Sequence, residues 1–234
     1  MDNLPDALLA EIVKRLTSTS DLGSFSLVSK RFYTVDAEQR DAIRVGSGLR
    51  SVTLALESLC SRFPNLRKVE FNYSGWTASH GMQLDNNGLR VFSSCCPSLT
   101  DLTLSFCSYI DDSGLRFLAC FKKLTTLRLN TLTAITSSGL LSVAVGCKSL
   151  SALHLIGCNK VGIVEWLEYL GKLGSLEELV VKYCARISQF DLLKFGPGWM
   201  KLHTFEFQIV DTVNIFDPRD HSYVEHNKYG YDFC

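Results

Sequence analysis

No charge of either sign dominates this chain of 234 residues: lysine and arginine together number 24, and so do aspartate and glutamate. A balanced sequence has no general field to draw nucleic acid or an anionic membrane, so neither is expected as a partner. Long apolar runs are missing as well. No stretch approaches the roughly 20 residues that a bilayer requires, and no charged start with an apolar run behind it follows Met1. These absences lead to the expectation of a soluble protein of the cytoplasm, the nucleus or both.

Signatures of catalysis and of metal binding are also lacking. His80, His154, His203, His221 and His226 form no HExxH pattern, and there is no GxSxG elbow, no GxxxxGK[ST] and no GxGxxG. Zinc sites draw on ligand pairs two to four residues apart, coupled to a second pair. Here Cys95 and Cys96 are adjacent and the other cysteines are scattered. Nine cysteines are an odd number in a chain with no secretion signal, so reduced thiols are expected rather than a disulfide framework. No catalytic residue, cofactor or metal is expected, and the protein is read as a non-enzyme.

The chain does have repeats. With 46% hydrophobic residues it can bury a core, and the leucines opening each NL, SL or KL turn show how. Leu66, Leu99, Leu124, Leu150, Leu176 and Leu202 are separated by 33, 25, 26, 26 and 26 residues. After each comes a segment of alternating polarity, such as LTDLTLSFC from Leu99 or LSALHLIGC from Leu150, which reads as a short strand. Ile110, Ile135, Val161 and Ile187 follow, and then helix-like stretches such as DDSGLRFLAC, where Asp, Ser or Thr before Gly-Leu can cap the start. One strand with one helix cannot bury its own apolar face, so the units must stack. The pattern resembles the cysteine-containing class of leucine-rich repeats. Cys107, Cys158 and Cys184 fall three residues after Leu104, Leu155 and Val181, and Cys96 and Cys147 fall three before an anchor leucine. Core filling is the expected role of these thiols.

A different segment precedes the repeats. From Asn3 to Val35 it reads NLPDALLAEIVKRLTSTSDLGSFSLVSKRFYTV. Leu8, Ile12 and Leu16, with Leu9 and Val13 alongside, give the first helix a broad apolar stripe, and Pro5 suits its first turn. Asp21 can cap a second helix carrying Leu22, Phe25, Leu27 and Val28, and a third can start near Ser29. About 40 residues cannot bury this much apolar surface among themselves, so some of it must face the repeats or a partner.

This segment resembles the F-box, on the Leu4-Pro5 opening, the apolar helix to Leu16, Leu22, and the run from Ser26 to Tyr33. Ser29 stands where the family usually has Cys, and Phe32 where it often has Trp. SRFPNLRKVEF, from Ser61 to Phe71, is similar to the start of the repeats in plant auxin- and jasmonate-receptor F-box proteins, whose hormone and inositol phosphate sites depend on repeats absent here. The expected fold is α/β: a three-helix F-box at residues 1–45, a linker with a lead-in helix at 46–65, an open leucine-rich-repeat arc of about five units at 66–208, and an irregular tail at 209–234. Because the register breaks after Gln208, the chain is expected either to be a shortened form of a longer repeat protein or to fold its tail back over the last repeat.

The resemblance implies a substrate-recognition subunit of a Skp-cullin-F-box ubiquitin ligase, with Leu4, Pro5, Leu8, Ile12, Leu16, Leu22 and Val28 contacting a Skp-type adaptor and through it a cullin. The repeats would hold a protein substrate whose identity the sequence does not give. Two other readings stay open at this point: a leucine-rich-repeat interaction protein without a ligase role, and a small-molecule co-receptor of the plant-hormone type. For the substrate surface the 33-residue interval points to NYSGWTASHGMQL, where an insertion of about seven residues carries Tyr73 and Trp76 as aromatic anchors. Trp76 can instead cover the apolar end of its own repeat. His154, at an outward position of its strand, is a further candidate on the concave face.

Overall fold

The computed structural model describes residues 4–46, 52–77, 81–162, 165–193 and 199–209. Helices α1 (Asp6–Arg15), α2 (Thr19–Leu27) and α3 (Lys30–Gln39) come first. Strands and helices then alternate: β1 (Ala42–Val45), α4 (Val52–Arg62), β2 (Lys68–Asn72), α5 (Asn86–Cys95), β3 (Asp101–Ser105), and α6 (Asp112–Leu115), which a 3-10 turn over Arg116–Cys120 continues. Next are β4 (Thr126–Asn130), α7 (Ser137–Gly146), β5 (Ala152–Ile156), α8 (Glu165–Leu173), β6 (Glu178–Lys182), α9 (Gln189–Leu193) and β7 (Thr204–Gln208).

The seven strands form one parallel sheet in chain order. Equivalent residues meet in register: Leu102 beside Leu127 beside Leu153, and Leu104 beside Leu129 beside Leu155. All six are buried, while Thr103, Arg128 and His154, one residue along, take the opposite face as the pleat requires. This is the expected α/β solenoid. Each turn is stitched to the one before: the N–H groups of Thr100 and Asp101 donate to the Arg67 carbonyl, and those of Thr125 and Thr126 to the Thr100 carbonyl.

The helix starts explain the recurring Gly-Leu. Asp85, Asp111 and Thr136 accept N–H groups at the starts of α5, α6 and α7. A Cβ at Gly114 would fall on the Asn86 side-chain amide, and one at Gly139 on the Asp112 carboxylate. Adjacent helices come so close there that a larger residue would force these side chains to move.

The strand ends share a less comfortable conformation. Phe106, Thr131 and Tyr183 each follow a strand with φ of 58°, 55° and 56°, the left-handed region, and Gly157 takes the equivalent place. Their N–H groups donate to the last carbonyl of the next strand, from Thr131 to Ile156 at 2.6 Å and from Tyr183 to Gln208 at 2.7 Å. These bonds hold the chain where β-branched and bulky residues rarely go. The next residue, Cys107, Cys158 or Cys184, is buried, with Sγ 3.4 Å from the Leu129 carbonyl for Cys158 and 3.7 Å from the Leu155 carbonyl for Cys184. Burial pushes the Cys107 and Cys158 thiols up to about 12, which suits core residues and not nucleophiles.

Three boundaries differ from expectation. The sheet begins inside the segment assigned to the F-box, and it has seven strands where about five repeats were expected. Arg40 stands two residues before β1, where every later strand has a leucine, so the first unit carries no leucine signal. Ser18 rather than Asp21 caps α2, accepting the Asp21 N–H at 3.4 Å. At the far end Phe205 of β7 is exposed, although its neighbour Leu179 is buried. The expected tail lies outside the described residues beyond Ile209.

Candidate functional site

The stripe of α1 divides between two faces. Leu9 and Val13 turn inward and join Phe32 and Val35 of α3 in a small buried cluster. Leu8 and Ile12, one helical turn apart on the other side, remain 51% and 42% exposed. At the end of α2 Leu27 is 85% exposed and Val28 59%. Four large apolar side chains therefore stand at the surface of a region whose own core has four buried residues.

Of the seven residues expected at an adaptor contact, Pro5, Leu8, Ile12 and Val28 are exposed, and Leu16 is half-buried. Leu4 and Leu22 pack partly against the inner cluster, with Phe25 and Ala10. Leu27 is the exposed residue that sequence reasoning left out of the set. Its two apolar neighbours hide it: in the run FSLVS no period tells which of Phe25, Leu27 and Val28 turns inward.

The helices are held to one another and to the repeats by ion pairs. Arg31 of α3 reaches back to Asp6 at 2.7 Å and to the Leu4 carbonyl, tying down the start of α1. Asp36, fully buried on α3, sits between Arg40 at 2.6 Å and Arg62 of α4 at 3.3 Å. The Arg62 guanidinium also lies 4.0 Å from the centre of the Tyr33 ring and 4.7 Å from that of Phe63. One carboxylate thus joins the last amino-terminal helix, the first strand's lead-in and the first solenoid helix.

The outer face of the sheet is polar and internally compensated. Arg44 pairs with Glu70 at 3.0 Å, Arg128 with Asp101 at 2.8 Å, and Lys182 with Glu206 at 2.5 Å, each across adjacent strands. His154 of β5 has Nε2 2.9 Å from Glu178 Oε1 on the next strand. Burial lowers its pKa against the pull of Glu178, so the ring tends to be neutral. His154 does lie on this face, beside Arg128 and Val180.

Two described aromatics of the first-repeat insertion pack on the solenoid. Tyr73 is 2% exposed and its hydroxyl accepts the Leu84 N–H at 2.9 Å, so the ring is core and offers nothing to a partner, contrary to expectation. Trp76 donates Nε1–H to the Gly81 carbonyl at 3.1 Å and stands edge-on to Tyr109, 6.1 Å between centres. It packs half-buried against the core. Residues 78–80 of the insertion, His80 among them, lie outside the described residues.

The F-box domain family matches residues 1–35. Coronatine-insensitive protein 1 of Arabidopsis thaliana is 24% identical over 238 residues, which cover 90% of this chain and 38% of that protein. GRR1-like protein 1 of the same plant is 23% identical over 176 residues, covering 70% of this chain and 29% of that one. The chain therefore spans less than two fifths of the length of these relatives. Among solved structures, the one described as a TLR13-ssRNA13 complex superposes with a TM-score of 0.50 at 13% identity, over 76% of this chain and 24% of that one, a likeness of fold alone.

Proposed function

From an F-box domain at residues 1–35 set on a leucine-rich-repeat sheet, we propose that this chain is a substrate-recognition subunit of a Skp-cullin-F-box ubiquitin ligase. The observation that carries the reading is the pair Leu8 and Ile12, left at the surface of a helix whose other side is already packed. With Leu27 and Val28 they form the apolar part of the contact with a Skp-type adaptor, and the adaptor brings the cullin. The outer sheet face holds a protein substrate through polar contacts, in the cytoplasm or nucleus. The chain supplies proximity and does no bond chemistry itself.

The test is capture of a purified Skp-type adaptor by the full chain and by the double variant Leu8→Asp with Ile12→Asp. Two charges on a buried contact should lower adaptor affinity by more than tenfold, with the melting temperature of the repeats unchanged. Equal capture by both proteins would sink the proposal.

A further inference from the structure

Three cysteines meet where α4 passes the end of α5. Cys60 on α4 and Cys96, which directly follows α5, are both buried, and their Sγ atoms lie 2.8 Å apart. That is roughly 0.8 Å beyond a disulfide bond, and shorter than an ordinary contact between sulfurs. Cys95, the residue before, is exposed. Other buried thiols of the repeats make a different use of their sulfur. Cys107, Cys158 and Cys184 aim theirs at strand carbonyls, at 3.6 Å from Ser105, 3.4 Å from Leu129 and 3.7 Å from Leu155. Cys96, like buried Cys147, stands at a repeat position, but Cys60 does not: the equivalent places before the next four anchor leucines hold Ser93, Leu118, Ala144 and Leu170.

We propose that Cys60 and Cys96 are a redox-convertible pair, closed to a disulfide by a peroxide-class oxidant that enters through Cys95. Partial burial and the neighbouring Cys60 and Glu57 hold the Cys95 thiol above its ordinary range, so its thiolate is scarce and the first step is slow. That thiolate attacks one peroxide oxygen; an S–O bond forms, the O–O bond breaks, and the leaving hydroxide is protonated to water. Cys60 then gives up its proton and its sulfur attacks the Cys95 sulfenic sulfur. An S–S bond forms, the S–O bond breaks, and the second hydroxide leaves as water. Exchange follows: the Cys96 sulfur attacks Cys60 Sγ, and Cys95 departs as a thiolate that takes up the proton Cys96 released. One peroxide and two thiols have become one disulfide and two waters. The hydrogen bond with Cys96 and burial both hold the Cys60 thiol above its ordinary range, which keeps the pair reduced until an activated sulfur is presented to it.

Closure would tie the first solenoid helix to the helix of the next unit. The test uses the full chain, reduced, freed of reductant and exposed to a graded series of hydrogen peroxide, then alkylated, digested and weighed. Expected is a linked species two hydrogens lighter than its parts, with Cys60 and Cys96 protected from alkylation and Cys95 still open to it. The melting temperature should rise with the link and fall again with dithiothreitol. Cys60→Ala should abolish the link, and Cys95→Ser should slow its formation at least tenfold without preventing it. A stable product joining Cys60 to Cys95, a Cys95→Ser variant that links at the wild-type rate, or a link that forms in urea but not in the folded chain would each overturn the proposal.

Discussion

The amino-terminal helices and the repeats draw on the same kinds of apolar side chain and dispose of them differently. In the helices Leu9, Val13, Phe32 and Val35 are covered, while Leu8, Ile12, Leu27 and Val28 stay at the surface. In the repeats a single cluster runs from Val45 to Leu192 and reaches back to Ala37 of α3, each strand pair handing its leucines to the next, while the outer sheet face carries mainly charged and polar residues with Val180 among them. A repeat always has a neighbour of its own kind to bury against. Three short helices do not, and a larger share of their apolar side chains stays at the surface.

The comparison can be broken most severely at the joint. Asp36→Ala leaves Arg40 and Arg62 facing each other without their shared carboxylate, and should cost about 3–5 kcal/mol in urea unfolding. Hydrogen exchange should rise in α3 and α4 and stay unchanged in β4 to β6. Uniform protection would mean that the two regions do not depend on this carboxylate for their coupling.

The next test lies within α1. Leu9→Ala should lose about 2–5 kcal/mol because it empties part of the small cluster, whereas Leu8→Ala should stay within about 0.5 kcal/mol as a surface change. Similar losses at these adjacent positions would remove the distinction between an inner and an outer face. A smaller effect than that of Leu9→Ala is expected in the repeats: Thr131→Gly relieves a β-branched residue at φ 55°, worth about 1 kcal/mol or less once the greater freedom of glycine in the unfolded chain is counted. Thermal melts of the variant measure it, and a loss of stability would show that the Thr131 side chain contributes more than its backbone costs.

The solenoid was legible because leucine returns at a nearly constant interval and each return is followed by alternation. Where one unit lacks the leucine, legibility stops. Arg40 occupies that place ahead of β1, and its guanidinium is held by Asp36 one helical turn back and by the Phe63 ring, 5.0 Å from its centre; the second contact is tertiary, and no local pattern announces it. The apolar stripe of α1 was equally visible, but periodicity cannot say which half of a broad stripe faces inward. That depends on where Phe32 and Val35 arrive from α3. Tyr73 failed as a surface anchor for a similar reason: its hydroxyl finds the Leu84 N–H eleven residues later, across an insertion whose path the sequence does not trace.

Because the seven strands lie side by side in chain order, the sheet is a ruler. Neighbouring parallel strands are about 4.8 Å apart, so β7 stands roughly 29 Å from β1 along the sheet. Gaining or losing one unit between them would move whatever the far end carries by a single graduation, and would leave the Asp36 joint and the faces of α1 untouched. Reach and attachment can thus vary independently in a chain of this design: the first by the number of strands, the second by a handful of side chains before the first of them.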